Sequence, residues 1–184
     1  MRARRADVDA RGDAAVKDMT FGQPSEFLIE AHHEPESQRW SGFGRMAIQI
    51  GGVVLGDISE EHCSLFHAVD RFRELITYID TLWDPTFDNL TDEGVFQTID
   101  DACYAGECSG RSALYRKFDF LTNTGEQFDD VKTFLACTPQ GRVRVWYQRH
   151  DDQKGTATCQ VSHFREAAEA FVRWFDEQLA IRRD

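Results

Sequence analysis

No run of apolar residues in this 184-residue sequence approaches the roughly 18 that a membrane-crossing helix needs. The first residues, Met1 to Asp18, are rich in Arg, Asp and Ala but lack the apolar stretch of a secretory signal. They read as a disordered leader, or as sequence upstream of a start at Met19, which leaves 19–184 as a single domain. There is no C-x-x-C pair, and the cysteines (Cys63, Cys103, Cys108, Cys137 and Cys159) number five. An odd count speaks against a disulfide framework and for small buried thiols in a reducing compartment. A cytoplasmic location is therefore expected. Internal repeats and linkers are absent too.

Positive charge is scarce, with 21 Lys and Arg against 32 Asp and Glu, a net −11. The deficit is local. Asp57 to Asp101 holds 12 acidic residues and two basic ones (Arg71 and Arg73), whereas Val131 to Val161 holds five basic and two acidic residues. Such a field repels nucleic acid and anionic membrane and attracts a basic partner. What the sequence has in quantity is apolar and aromatic material: 41% hydrophobic, with 14 Phe and 4 Trp. That suffices for a core without metals or disulfides.

The periodicities predict an α+β fold, an antiparallel sheet of about five to six strands packed on one side by three main helices. Glu26 to Glu30 reads as a first strand, followed by a polar loop over His32 to Arg39. Arg45 to Ile58 reads as a hairpin, because Gly51-Gly52 can supply the positive φ of a primed turn. A helix capped by Ser59, with Glu60 and Glu61 in its first turn, is expected to run to Trp83, where Pro85 stops it. A second helix follows from Thr91 to Tyr104, and Arg111 to Lys117 has room for one or two more turns. Val131 to Thr138, Arg142 to Gln148 and Thr156 to Val161 are strand-like, with a turn at Pro139-Gln140-Gly141. A final helix, capped by Ser162, places Phe164, Ala168, Phe171 and Trp174 or Phe175 on one face.

Few clusters invite chemistry. His62, Cys63 and His67 suggest a metal or a thiol nucleophile. On a helix, however, the two histidines lie roughly 140° apart, and only Cys63 and His67 share a face. His32-His33-Glu34 alternates sides in an extended chain and reads as a loop at a strand end. The glycines at 42, 44, 51 and 52 lack the following helix and Lys that a phosphate cradle needs. Phe118 to Asp130, F-D-F-L-T-N-T-G-E-Q-F-D-D, sets Asp119, Glu126, Asp129 and Asp130 among phenylalanines without metal-loop spacing. It reads as a capped turn or as a loop presenting acids to a partner. No catalytic residue, cofactor or metal is assigned.

Four stretches resemble immunity protein family 42 of bacterial polymorphic toxin systems: W-S-G-F-G-R-M at 40–46, I-G-G with L-G-D at 50–57, E-H-C at 61–63, and F-D-F-L-T-N-T-G-E-Q-F-D-D. The resemblance covers Trp40 to Leu179. It implies a cytoplasmic, non-enzymatic protein that binds a cognate toxin, and it hands over no binding residues. The charge map supplies the candidates instead: Asp80, Asp84, Asp88, Asp92 and Glu93, then Glu126, Asp129 and Asp130, with Trp40, Trp83 or Trp146 as exposed aromatic anchors. A basic toxin, such as one whose cationic cleft binds nucleic acid, is the expected partner. The competing readings are a small thiol- or carboxylate-dependent hydrolase and an adaptor for a secreted effector.

Overall fold

Alternation of apolar and polar residues dominates the first third of the chain and places one face of a sheet against the core. The computed structural model describes residues 19–34, 42–61, 63–105, 110–122 and 124–180. Strand β1 (Met19–Gly22) precedes β2 (Phe27–His33), whose Phe27, Ile29, Ala31 and His33 all turn inward. β3 (Phe43–Ile50) and β4 (Val53–Leu55) form the expected hairpin. Its turn residues Gly51 and Gly52 have φ of +52° and +84°, the left-handed conformation that makes glycine necessary there. A short strand, β5 (Cys63–Ser64), pairs with the start of β3, so the antiparallel order is β1-β2-β3-β4 with β5 beside β3.

The first helix is shorter than the periodicity suggested. α1 spans Phe66–Tyr78 and continues as a 3-10 turn over Ile79–Thr81. Residues 63–64 are taken into the sheet, so Ser59 caps no helix and instead hydrogen-bonds the Asp57 carboxylate at 2.8 Å (N–H) and 2.7 Å (hydroxyl). His32 and His33 likewise belong to β2 rather than to a loop. After a 3-10 segment at Pro85–Asn89, α2 runs Asp92–Tyr104, with the Thr91 hydroxyl accepting from the Gly94 N–H at 3.1 Å as a proper N-cap. α3 (Gly110–Tyr115) is brief, and 3-10 turns follow at Arg116–Phe118 and Glu126–Phe128.

The last third supplies a second antiparallel sheet, β6 (Val131–Cys137), β7 (Arg142–Arg149) and β8 (Lys154–Gln160), before α4 (Val161–Ala180). Among the described residues, eight strands in two antiparallel sheets thus stand where a single sheet of five to six was expected, within the expected α+β class. The α4 helix begins directly after β8, so Ser162 lies inside it rather than at its cap.

Helices on one side only is an expectation that holds for the first sheet and fails for the second. The run Thr133-Phe134-Leu135-Ala136-Cys137 is buried at every position, the pattern of a strand covered on both faces. Val143 and Val145 face α4 and the core, while Phe134 and Trp146 face α2, whose Phe96 ring lies 5.0 Å from that of Phe134. Between the sheets, α1 and α4 contribute Phe72, Phe164 and Phe171, which meet Phe27 of β2 and Phe120 in a contiguous aromatic core.

Candidate functional site

The acidic segment Asp57–Asp101 folds into α1, the following 3-10 turns and α2, and much of its charge is cancelled in place. Among the described residues, seven of its 12 acids form ion pairs, which decides how much negative surface is left to meet a partner. Glu74 and Asp70 pair within α1, with Arg71 and Arg73. Three acids of α2 take their partners from the basic second sheet: Asp92 with Arg144 (3.1 Å), Glu93 with Lys154 (3.5 Å) and Asp100 with Lys132 (2.7 Å). Two charge-biased segments far apart in sequence therefore face each other. Exposed pairs of this kind add little stability, roughly 0–1 kcal/mol each, but they cancel field at the surface.

The candidate contacts separate on this criterion. Asp80 is engaged by Arg165 at 2.6 Å. Asp84 caps the 3-10 segment, accepting from the Thr86 N–H (2.9 Å) and hydroxyl (2.8 Å). Burial works to raise its pKa, yet the Thr86 bonds, nearby Lys117 and the Tyr115 hydroxyl together hold it below the ordinary carboxylate value. Asp88 accepts from Trp83 Nε1 at 3.2 Å, which fixes a half-buried indole beside an exposed carboxylate. Neither Asp84 nor Asp88 has an ion pair among the described residues. Asp92 carries two bonds on one oxygen, from Arg144 Nη1 and from Trp146 Nε1 at 2.9 Å.

Glu126, Asp129 and Asp130 are exposed, and they too make no ion pair among the described residues. They do not join the first group. Asp130 directly precedes β6, whereas the Cys137 N–H at the far end of β6 bonds the Leu82 carbonyl at 2.8 Å. At about 3.3 Å per residue, the two acidic groups stand roughly 20 Å apart.

Trp146 is 1% exposed and cannot act as a surface anchor; it is clamped under α2 by the Asp92 bond. Trp40 lies outside the described residues, as do His62 and Cys108. Cys63 lies buried on a strand, with Sγ directed at the Glu60 and Glu61 carbonyls (3.7 and 3.8 Å), while His67 is on the solvent side of α1. The shared helical face expected for that pair does not exist. Burial, with Glu126, Glu60 and Glu34 close by, pushes the Cys63 thiol upward against a single opposing bond from the Gln127 N–H. Burial likewise lifts Cys103 to about 11 and Cys159 to about 12. None of these groups is a ready nucleophile at neutral pH.

Sequence reading missed Arg45, which spans Glu34 and Glu61 at 2.7 Å each, and the Asp92–Arg144–Trp146 network. The opposite charges of the two segments were a visible signal for the latter.

The Asp84 cap makes a quantitative prediction. Asp84→Ala should cost about 1 kcal/mol at pH 7. Because the folded pKa is depressed, the wild-type advantage is fully present above the unfolded value of about 3.9 and is lost as pH falls through the lower folded value. Urea unfolding at pH 7 and pH 3 would expose an error if the difference grew on acidification.

The family model described as immunity protein 42 matches residues 19–174. The chain belongs to the immunity protein 42 family. The match takes in every candidate acid from Asp80 to Asp130, and it leaves 1–18 outside. The crystal structure of CdiI from Burkholderia dolosa AUO158 superposes with a TM-score of 0.57 over 85% of this chain and 99% of that one. At 14% identity the likeness is one of fold, so the immunity-family chain and that CdiI share an architecture. No curated protein matches the chain.

Proposed function

We propose that this immunity-family protein neutralises a cognate toxin domain in the cytoplasm by stoichiometric binding, without catalysis. Family membership carries the reading. The raised thiol of Cys63 and its separation from His67 favour binding over thiol chemistry. Asp84 and Asp88 with Trp83 form the first contact surface, flanked by Asp80, Asp92 and Glu93; Glu126, Asp129 and Asp130 form a second. Trp83 supports an anchoring role, because a half-buried aromatic held beside carboxylates combines apolar area with charge. The partner is a basic domain, such as a nuclease whose cationic cleft the acids would occupy.

The rate of association with the cognate toxin domain tests the charge argument. It should fall by about tenfold or more between roughly 0.02 M and 0.15 M salt. A salt-independent rate would remove the acidic face while leaving immunity standing. Co-expression with the toxin domain alone separates neutralisation from adaptor binding, since an adaptor would not restore growth.

A further inference from the structure

The two edges of the second sheet are finished differently. Along β6, the Phe120 N–H bonds the Thr133 carbonyl (3.1 Å), the Leu121 N–H bonds Thr133 Oγ1 (3.1 Å), and the Cys137 N–H bonds Leu82. That edge is closed at Thr133 and at its far end. The β8 edge follows from the register. The Arg149 N–H bonds the Gln153 carbonyl and the Val161 N–H bonds the Gly141 carbonyl, at opposite ends of one continuous ladder. Bonded pairs alternate in an antiparallel ladder. Gly155, Ala157 and Cys159 therefore turn their amides to β7, while Lys154, Thr156, Thr158 and Gln160 turn theirs outward.

The far part of that edge is covered. Glu26 Oε2 takes the Gln160 N–H at 2.9 Å, and a Cβ on Gly51 would stand 3.1 Å from the Thr158 carbonyl. At Lys154 and Thr156 the outward N–H and C=O groups have no backbone partner among the described residues. An open edge is a template for another strand unless something blunts it.

Beside this open stretch lies a cleft of about 260 Å³ between α2 and β8, with Phe96 and Trp146 among its walls and Asp92 and Glu93 among its acidic lining. The protein's own Lys154 ammonium rests there, 5.6 Å from the Phe96 ring centroid and 3.5 Å from Glu93 Oε1. An aromatic face beside a carboxylate is cation chemistry, and Lys154 holds it only by an exposed, long ion pair. Asp151 and Asp152, exposed in the turn that leads into β8, add to the negative charge of this end of the strand.

We propose that the Lys154–Thr156 edge of β8 receives an extended segment of the toxin as an added strand, with a basic side chain of that segment seated in the Glu93–Phe96 cleft. The proposal rests on the immunity reading and gives it a specific mode of contact. Main-chain pairing supplies the register, and the cleft supplies preference for Arg or Lys at one position.

The probe is a catalytically dead form of the cognate toxin domain, titrated against wild type, Thr156→Pro and Thr156→Val. Because the Thr156 N–H points away from β7, proline there leaves the internal ladder intact while removing the outward donor. Thr156→Pro should weaken binding by at least about tenfold, and Thr156→Val, which keeps the N–H, should bind like wild type. Equal binding of all three proteins overturns the edge proposal alone. Failure of wild type to bind or protect overturns the immunity reading itself. Should Thr156→Pro fail to fold, hydrogen exchange on the wild-type complex decides: the Lys154 and Thr156 amides should slow on complex formation, and unchanged exchange refutes strand addition.

Discussion

Phe72→Ala should lower the free energy of unfolding by about 3–5 kcal/mol, the largest stability loss expected from any single truncation in this protein. Phe72 sits fully buried in the middle of α1, and its ring lies between 5.6 and 6.4 Å from those of Phe27, Phe120, Phe164 and Phe171. Those four rings come from β2, from the segment before β6 and from α4. Removing the central ring therefore opens a cavity against several elements, none of which can close it alone. A domain stable by about 5–15 kcal/mol would lose a large fraction of its margin. Urea unfolding of the variant beside Leu114→Ala gives the comparison, since Leu114 is exposed and should cost no more than about 0.5 kcal/mol. A Phe72→Ala cost below about 1 kcal/mol would mean that the aromatic core repacks freely.

Asp92→Ala should cost about 2 kcal/mol, while Asp92→Asn should cost less than about 1. The difference lies in what is stranded. The Asp92 carboxylate accepts from Trp146 Nε1, a donor on a residue with almost no exposure, and from Arg144. Alanine leaves the indole N–H without an acceptor under α2, whereas the asparagine amide oxygen still accepts and only the charge is lost. Asp92 also occupies the first turn of α2, where a carboxylate gains a further 0.3–1 kcal/mol or so from the helix dipole. The pair of variants has a second use. Asp92→Asn keeps the fold, so a slower toxin association in that variant reports electrostatics. If both variants unfold at the same urea concentration as wild type, the clamp between α2 and β7 contributes nothing.

Local patterns were legible wherever the signal was short in range. The Gly51-Gly52 turn, the Thr91 cap and the apolar stripe of α4 all depend on residues within a few positions of one another. The start of α1 was misread because Ser59-Glu60-Glu61 makes a good cap signal, while pairing of Cys63–Ser64 with β3 is a long-range event that overrides it. The acids were identified correctly as a concentration along the chain. Whether the α2 acids Asp92, Glu93 and Asp100 face solvent or a cation depended on strands some 30 to 60 residues further on.

Alone, the sequence determined the class of the fold, the density of aromatic residues needed for a core, the family and the sign of the charge. These follow from composition, period and motif, which need no knowledge of what lies opposite. Only the tertiary structure decided that the strands divide into two sheets and that Trp146 is buried. It also brought Lys132, Arg144 and Lys154 onto α2, leaving Asp84 and Asp88 without cationic partners among the described residues. Charge adds along a chain but cancels through space, and an ion pair or an open strand edge exists only once distant segments have been brought to within a few ångströms.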